Sequence, residues 1–99
     1  MKSRMTPWGK SQYSKSYAPG VDFYSTASHG GFYVASAINQ VIPEVFRRKD
    51  GWYEEDCEAM IVLYFLPGLS KQPKHDILEA GLRMWFPEAL ATWLGEVSK

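Results

Sequence analysis

Gly51-Trp52-Tyr53-Glu54-Glu55-Asp56-Cys57-Glu58-Ala59-Met60-Ile61-Val62-Leu63-Tyr64-Phe65-Leu66-Pro67-Gly68 runs from an acidic start straight into an unbroken apolar segment. Carboxylates suit the positive end of a helix dipole, so Glu54, Glu55 and Asp56 fit a first turn, and Pro67-Gly68 supplies a stop. Tyr53, Cys57, Met60, Ile61 and Tyr64 recur at spacings of three and four, while Val62, Leu63 and Phe65 fill the remaining faces. The pattern predicts a central helix buried nearly all round, with Ile61 and Tyr64 in the core.

Upstream of that segment the period changes to two. Lys10 to Tyr17 alternates polar residues with tyrosine, Pro19-Gly20 makes a turn, and Val21 to Thr26 is built of β-formers. Ser28-His29-Gly30-Gly31 is a second turn and Phe32-Tyr33-Val34 a third strand, so an antiparallel meander is expected. Alternation puts Val21 and Phe23 on the apolar face, continued by Phe32 and Val34, and Tyr24 on the other. Ser36 is placed to cap a helix through Ile42, which Pro43 kinks or restarts. Downstream, Ser70 or Gln72 before Pro73 marks a helix start. Ile77, Leu78, Leu82, Trp85 and Phe86 then follow a helical period, and Pro87 opens a last helix with Leu90, Trp93 and Leu94 inward. The expected architecture is α+β, a three-stranded antiparallel sheet followed by about four helices packed on one face.

The chain of 99 residues suits a single domain over 1–99, large enough to bury roughly 60 to 70% of its extended-chain surface. The sole cysteine, Cys57, rules out an internal disulfide and agrees with a reducing compartment. The longest apolar run, Ala59 to Leu66, is too short to span a bilayer, and the N-terminus lacks an apolar signal core, so a cytoplasmic protein without a membrane partner is expected. The net charge of zero argues against nucleic acid as a partner. Residues 1–53 nevertheless carry seven Lys or Arg against three acids, a net +4, and residues 54–99 carry four against eight, a net −4. Complementary halves of one small domain attract each other.

Most chemical motifs are absent. Gly9-Lys10-Ser11 matches the end of a phosphate-binding loop, but Arg4 stands where the earlier glycine is required. His29-Gly30-Gly31 matches an esterase oxyanion loop, yet the chain contains no Gly-x-Ser-x-Gly nucleophile elbow. Negative neighbours oppose thiolate formation at Cys57, which favours a buried, inert thiol. His29, His75 and Cys57 include no close-spaced pair, and His75 with Glu79 is better read as a solvated pair than as half a metal site. No metal and no cofactor is expected. Arg47-Arg48-Lys49 fits a helix C-terminus.

Four segments carry a resemblance: Thr6-Pro7-Trp8-Gly9; Tyr17-Ala18-Pro19-Gly20-Val21; Ser25-Thr26-Ala27-Ser28-His29-Gly30-Gly31-Phe32; and Gly51 to Glu58. Together with Trp85-Phe86-Pro87-Glu88-Ala89 they resemble a small uncharacterised domain found in proteins of phages, plasmids and other bacterial mobile elements. Tyr24 departs from it, where a smaller residue is expected. The resemblance implies context rather than an activity. On it rests the expectation of a non-enzymatic interaction protein, an inhibitor of a host defence complex such as a CRISPR effector. Its partner would be a host protein or protein complex, and the chain itself a monomer or homodimer. Its binding residues would be Trp8, Tyr13, Tyr24, His29, Arg47 and Arg48. The alternative is a small hydrolase or transferase in which His29 is the general base, oriented by Glu54, Glu55 or Asp56, with the glycine amides holding an oxyanion.

Overall fold

The computed structural model describes residues 4–66, 68–69 and 73–95. A two-stranded ribbon, β1 (Met5–Thr6) and β2 (Gly9–Lys10), precedes a four-stranded antiparallel sheet of β3 (Tyr13–Ala18), β4 (Val21–Ser25), β5 (Gly30–Val34) and β6 (Trp52–Glu54). The sheet order is β3-β4-β5-β6. The helices are α1 (Ser36–Asn39), α2 (Ala59–Phe65), α3 (His75–Trp85) and α4 (Pro87–Leu94). The fold is α+β, but the sheet has a fourth strand beyond the expected three-stranded meander.

The register bears out the alternation. Val21 pairs with Val34 and Phe23 with Phe32, so these four share one face, and Asp22 and Tyr24 take the other. At the outer edge the β3–β4 register shifts between Ser16 and Ala18. This bulge brings Tyr17 as well as Ala18 against the core, where the Tyr17 ring meets Phe32 edge-on at 4.9 Å.

The extra strand comes from the start of the segment expected to be helical. Gly51 has φ +80°, and a side chain there would stand 2.7 Å from the Val34 carbonyl oxygen. Its own carbonyl accepts a hydrogen bond from the Val34 amide at 2.8 Å, which starts the pairing of β5 with β6. Tyr53 then points inward, fully buried opposite Phe32, and Trp52 points outward opposite Tyr33. Two aromatics of alternating direction gain more in the sheet than one helical turn would offer. The acids therefore lie in β6 and in the turn over residues 55–58, and none is in the first turn of α2. That helix is only seven residues long. Ala59, Ile61 and Val62 are buried within it, whereas Tyr64 is half-buried. The expected stop at Pro67 lies outside the described residues, as do Ser70 and Gln72.

Between β5 and β6 the chain is mostly irregular. α1 ends at Asn39 instead of Ile42, and its N-cap residue is Ala35, not Ser36. A buried polar knot takes over there. Asn39 Nδ2 donates to the Arg48 carbonyl at 2.8 Å, the Tyr53 hydroxyl donates to Asn39 Oδ1 at 2.6 Å, and the Arg48 amide donates to the Tyr53 hydroxyl at 2.9 Å. Side-chain bonds of this kind satisfy loop backbone that Pro43 keeps from joining a longer helix. Ile42 and Phe46 fall into the core between these anchors.

The core joins Val21, Phe32, Val34 and Tyr53 of the sheet to Ile61 and Val62 of α2, and through them to Leu82 of α3 and Leu90 of α4. Phe46 bridges the two ends, its ring 5.1 Å from Phe65 and 6.3 Å from Phe86. Helix positions at 78, 82 and 90 are buried as expected, but Ile77, Trp85, Trp93 and Leu94 are exposed.

Candidate functional site

The sheet face turned away from the buried helix residues carries the densest chemistry. Tyr24, Tyr33 and Trp52 stand on it from three adjacent strands, with ring centroids 5.7 Å apart for Tyr24–Trp52 and 4.9 Å for Tyr33–Trp52. The N-terminal ribbon lies over them. Its turn is held by Thr6, whose hydroxyl donates to the Gly9 carbonyl at 2.7 Å and accepts from the Trp8 amide at 3.1 Å. The base is closed by Ser11, whose Oγ accepts from the Arg4 amide at 2.7 Å. The ribbon delivers two side chains. Trp8 meets Trp52 edge to face, centroids 5.7 Å apart and planes at 89°. Arg4 places its guanidinium 4.4 Å from the Tyr33 ring centroid, 5.5 Å from Trp52 and 5.8 Å from Tyr24.

Gly31 is what lets Trp8 lie down. A Cβ at Gly31 would stand 2.4 Å from Trp8 Cη2 and 2.3 Å from the Tyr53 carbonyl oxygen. The glycine pair after His29 thus makes room for an indole on one side and a neighbouring strand on the other. Both glycines are buried inside β5, with β4 and β6 on either side. The Gly30 carbonyl accepts from the Glu55 amide at 2.9 Å.

Beside Trp8 and Trp52 opens a cleft of about 250 Å³, lined also by Pro7, Arg48, Asp50, Glu54, Cys57 and Glu58. Three carboxylates therefore face a corner formed by two indoles. Glu58 is fixed: it pairs with the Arg48 guanidinium and accepts from the Glu54 amide at 2.9 Å. Asp50 Oδ1 accepts from the Trp52 amide at 3.0 Å. Cys57 is half-buried, not fully buried, and its thiol pKa is pushed up by desolvation, then by Glu58 and Glu54. A second shallow cleft of about 210 Å³ lies across Asp50, lined by Tyr33, Asn39, Gln40, Arg47 and Lys49 among others.

The residues named from the sequence divide. Trp8, Tyr24 and Arg48 meet at or beside the aromatic corner; Arg4, Tyr33 and Trp52 complete it and were not foreseen. Tyr24 is half-buried in the cluster, not a free anchor. Arg47 spends its guanidinium on the loop, with Nε donating to the Ile42 carbonyl at 2.9 Å and Nη2 to the Gln40 carbonyl at 3.2 Å. Tyr13 is exposed at the start of the edge strand β3. His29 is exposed in a turn tied by the Thr26 hydroxyl, which accepts from the His29 amide at 3.1 Å and donates to its carbonyl at 2.8 Å. The His29 turn and the acidic run do become neighbours, since Gly31 pairs with Glu54. Among the described residues no hydrogen bond joins the His29 imidazole to Glu54, Glu55 or Asp56, and no group of three His, Cys, Asp or Glu converges on a metal-sized space. His75 stacks on Tyr64 at 4.2 Å, and the Tyr64 hydroxyl donates to Glu79 at 3.1 Å; desolvation, and then this bond to Glu79, raise the phenol pKa. No described helix is long and apolar enough to cross a membrane.

The fold is thus an α+β domain whose most elaborate surface is an aromatic face closed by its own N-terminal ribbon. The chain belongs to the family described as "Domain of unknown function (DUF7007)", whose model matches residues 1–99. Neither the comparison with curated proteins nor that with solved structures finds a match.

Proposed function

We propose that this chain is a non-enzymatic interaction protein of a phage or mobile element that binds a host protein in the cytoplasm, with a component of a defence complex such as a CRISPR effector as the target. The carrying observation is the corner of Trp8 and Trp52 rimmed by Asp50, Glu54 and Glu58. An indole face attracts a cation and nearby carboxylates complete its desolvated shell, so the corner suits a lysine or arginine side chain presented by a partner. Arg4 already occupies the adjacent aromatic surface in this manner. Aromatic anchors beside fixed charges are the composition that dominates protein interfaces. The mobile-element context comes from the resemblance of the four sequence segments and gives the target its class.

The test is affinity capture from bacterial lysate with the natural chain and with Glu54→Lys, which reverses charge at the rim. A protein retained by the natural chain and lost by the variant, at equal melting temperature, supports the assignment. Retention indifferent to Glu54→Lys, or no retained protein, refutes it.

A further inference from the structure

We propose that the cleft of about 210 Å³ between the end of β5 and the 40–50 loop is a binding site for a carboxylate group, the acidic side chain or the terminus of a peptide. The loop that forms it is anchored at one residue. The Arg48 amide donates to the Tyr53 hydroxyl and the Arg48 carbonyl accepts from Asn39 Nδ2, so its neighbours Arg47 and Lys49 leave the chain from fixed points. The Arg48 side chain itself pairs with Glu58, a residue of the other cleft. Arg47 and Lys49 both line this one.

The bonds that hold Arg47 leave one edge of its guanidinium open. Nε and Nη2 donate to the carbonyls of Ile42 and Gln40, which occupies the side edge and fixes the plane. Gln40 is itself part of the lining, so the plane is anchored at the wall of the cleft. Both donors on Nη1 and the second on Nη2 remain, the end-on pair that grips a carboxylate by two parallel bonds. The Lys49 ammonium and the Ser36 hydroxyl also belong to the lining, and neither has a hydrogen-bond or ion-pair partner among the described residues. Donors left unpaired around an open space are completed by a ligand that only accepts, which an ionised carboxylate does. The charge narrows the choice further. Arg47 and Lys49 bring two positive charges and Asp50, whose Oδ1 already accepts from the Trp52 amide, one negative, so the lining carries a net +1. A monoanion neutralises it, whereas a phosphate dianion would bring its second charge up against Asp50. The cleft is smaller than a pocket for a drug-sized molecule and fits a single side chain. The site stands on these residues and not on the reading of the Trp8–Trp52 corner, although Asp50 lines both clefts.

The experiment is an amide-resolved NMR titration of the natural chain with two monoanionic probes, N-acetylglycinate for a peptide terminus and N-acetylglutamate α-amide for a side chain. Inorganic phosphate, and sodium chloride at matched ionic strength, are the comparators. The carboxylates are expected to give saturable shifts at the Arg47 side chain and at the Lys49 and Gly51 amides, and the tighter of the two identifies the source. Lys49→Glu turns the net charge of the lining to −1 and should weaken binding at least about tenfold, because like charges then oppose one another. Lys49 is exposed, so this variant should keep the natural melting temperature. Asp50→Asn keeps an oxygen for the Trp52 amide and raises the lining to +2; it should bind the carboxylates about a few-fold more tightly and move the preference towards phosphate. Shifts that fail to saturate, or that sodium chloride reproduces, overturn the proposal. So does binding indifferent to Lys49→Glu, or phosphate held by the natural chain more tightly than both carboxylates.

Discussion

Removing one oxygen atom at Tyr53 should be among the costliest single changes in the domain. Tyr53→Phe leaves the ring where it is, fully buried against Phe32, and creates no cavity larger than the hydroxyl. It deletes the bond to Asn39 Oδ1 and the bond from the Arg48 amide. Each net hydrogen bond contributes about 1 kcal/mol, and leaving a buried partner unsatisfied adds about 1 to 3 kcal/mol, so the expected loss is about 2 to 4 kcal/mol. For a domain of this size that lowers the melting temperature by roughly 10 to 25 °C. Urea unfolding followed by tryptophan fluorescence measures it, with an unchanged m-value expected because the surface exposed on unfolding is the same. The hydroxyl also has a pH signature. Desolvation raises the Tyr53 pKa above its ordinary value, so the neutral phenol persists in the fold when the unfolded chain has begun to ionise. Its contribution is complete below about pH 10 and declines as pH rises through the folded pKa. The natural chain should therefore lose stability above about pH 10 more steeply than Tyr53→Phe does. A loss under about 0.5 kcal/mol at neutral pH, or parallel alkaline profiles for the two proteins, would refute the view that this knot holds the 40–50 loop.

Gly31→Ala should cost about 1 to 3 kcal/mol or more, because the methyl collides with both Trp8 and the Tyr53 carbonyl; a change in Trp8 and Trp52 fluorescence should accompany it, and an unchanged spectrum and stability would contradict the packing described. Ile61→Ala should cost about 2 to 5 kcal/mol by chemical denaturation, and a loss below about 0.5 kcal/mol would remove Ile61 from the core. Cys57 should react with a thiol reagent at pH 7 at least about tenfold more slowly than a free cysteine, its rate climbing as pH approaches the raised thiol pKa; rapid stoichiometric labelling of the native protein would contradict this.

Alternation was enough to place Val21, Phe23, Phe32 and Val34 on one face, since a period of two leaves no freedom once one side is buried. It failed at Trp52-Tyr53-Glu54, a strand too short to display a period, followed by carboxylates that fit a helix start equally well. Only the pairing with β5, a contact across eighteen or more residues of chain, decides that case. The same blind spot hid half of the aromatic corner. Tyr33 lies between Phe32 and Val34 and so must face outward beside Tyr24, a signal that was present; Trp52 could be added only with β6. Arg4 joins through the ribbon, which two-residue strands do not announce. On α3 the helical period took in the buried Leu78 and Leu82 together with the exposed Ile77 and Trp85, because periodicity reports an apolar side chain without saying which neighbour it meets.

The irregularity in β3 governs what the sheet does when many copies of the chain are crowded together. Among the described strands β3 pairs only with β4, so its far side carries backbone donors and acceptors of the kind that recruit another strand. The shift between Ser16 and Ala18 bends that row out of line. Lys15, in register with Phe23, sits on the core-facing side of the strand with its ammonium 5.5 Å above the Tyr17 ring. An added strand would have to cover that charge and follow a kinked template, and it would gain neither a flat ladder nor an apolar partner face. The β3 edge is thereby a poor template for a fifth strand.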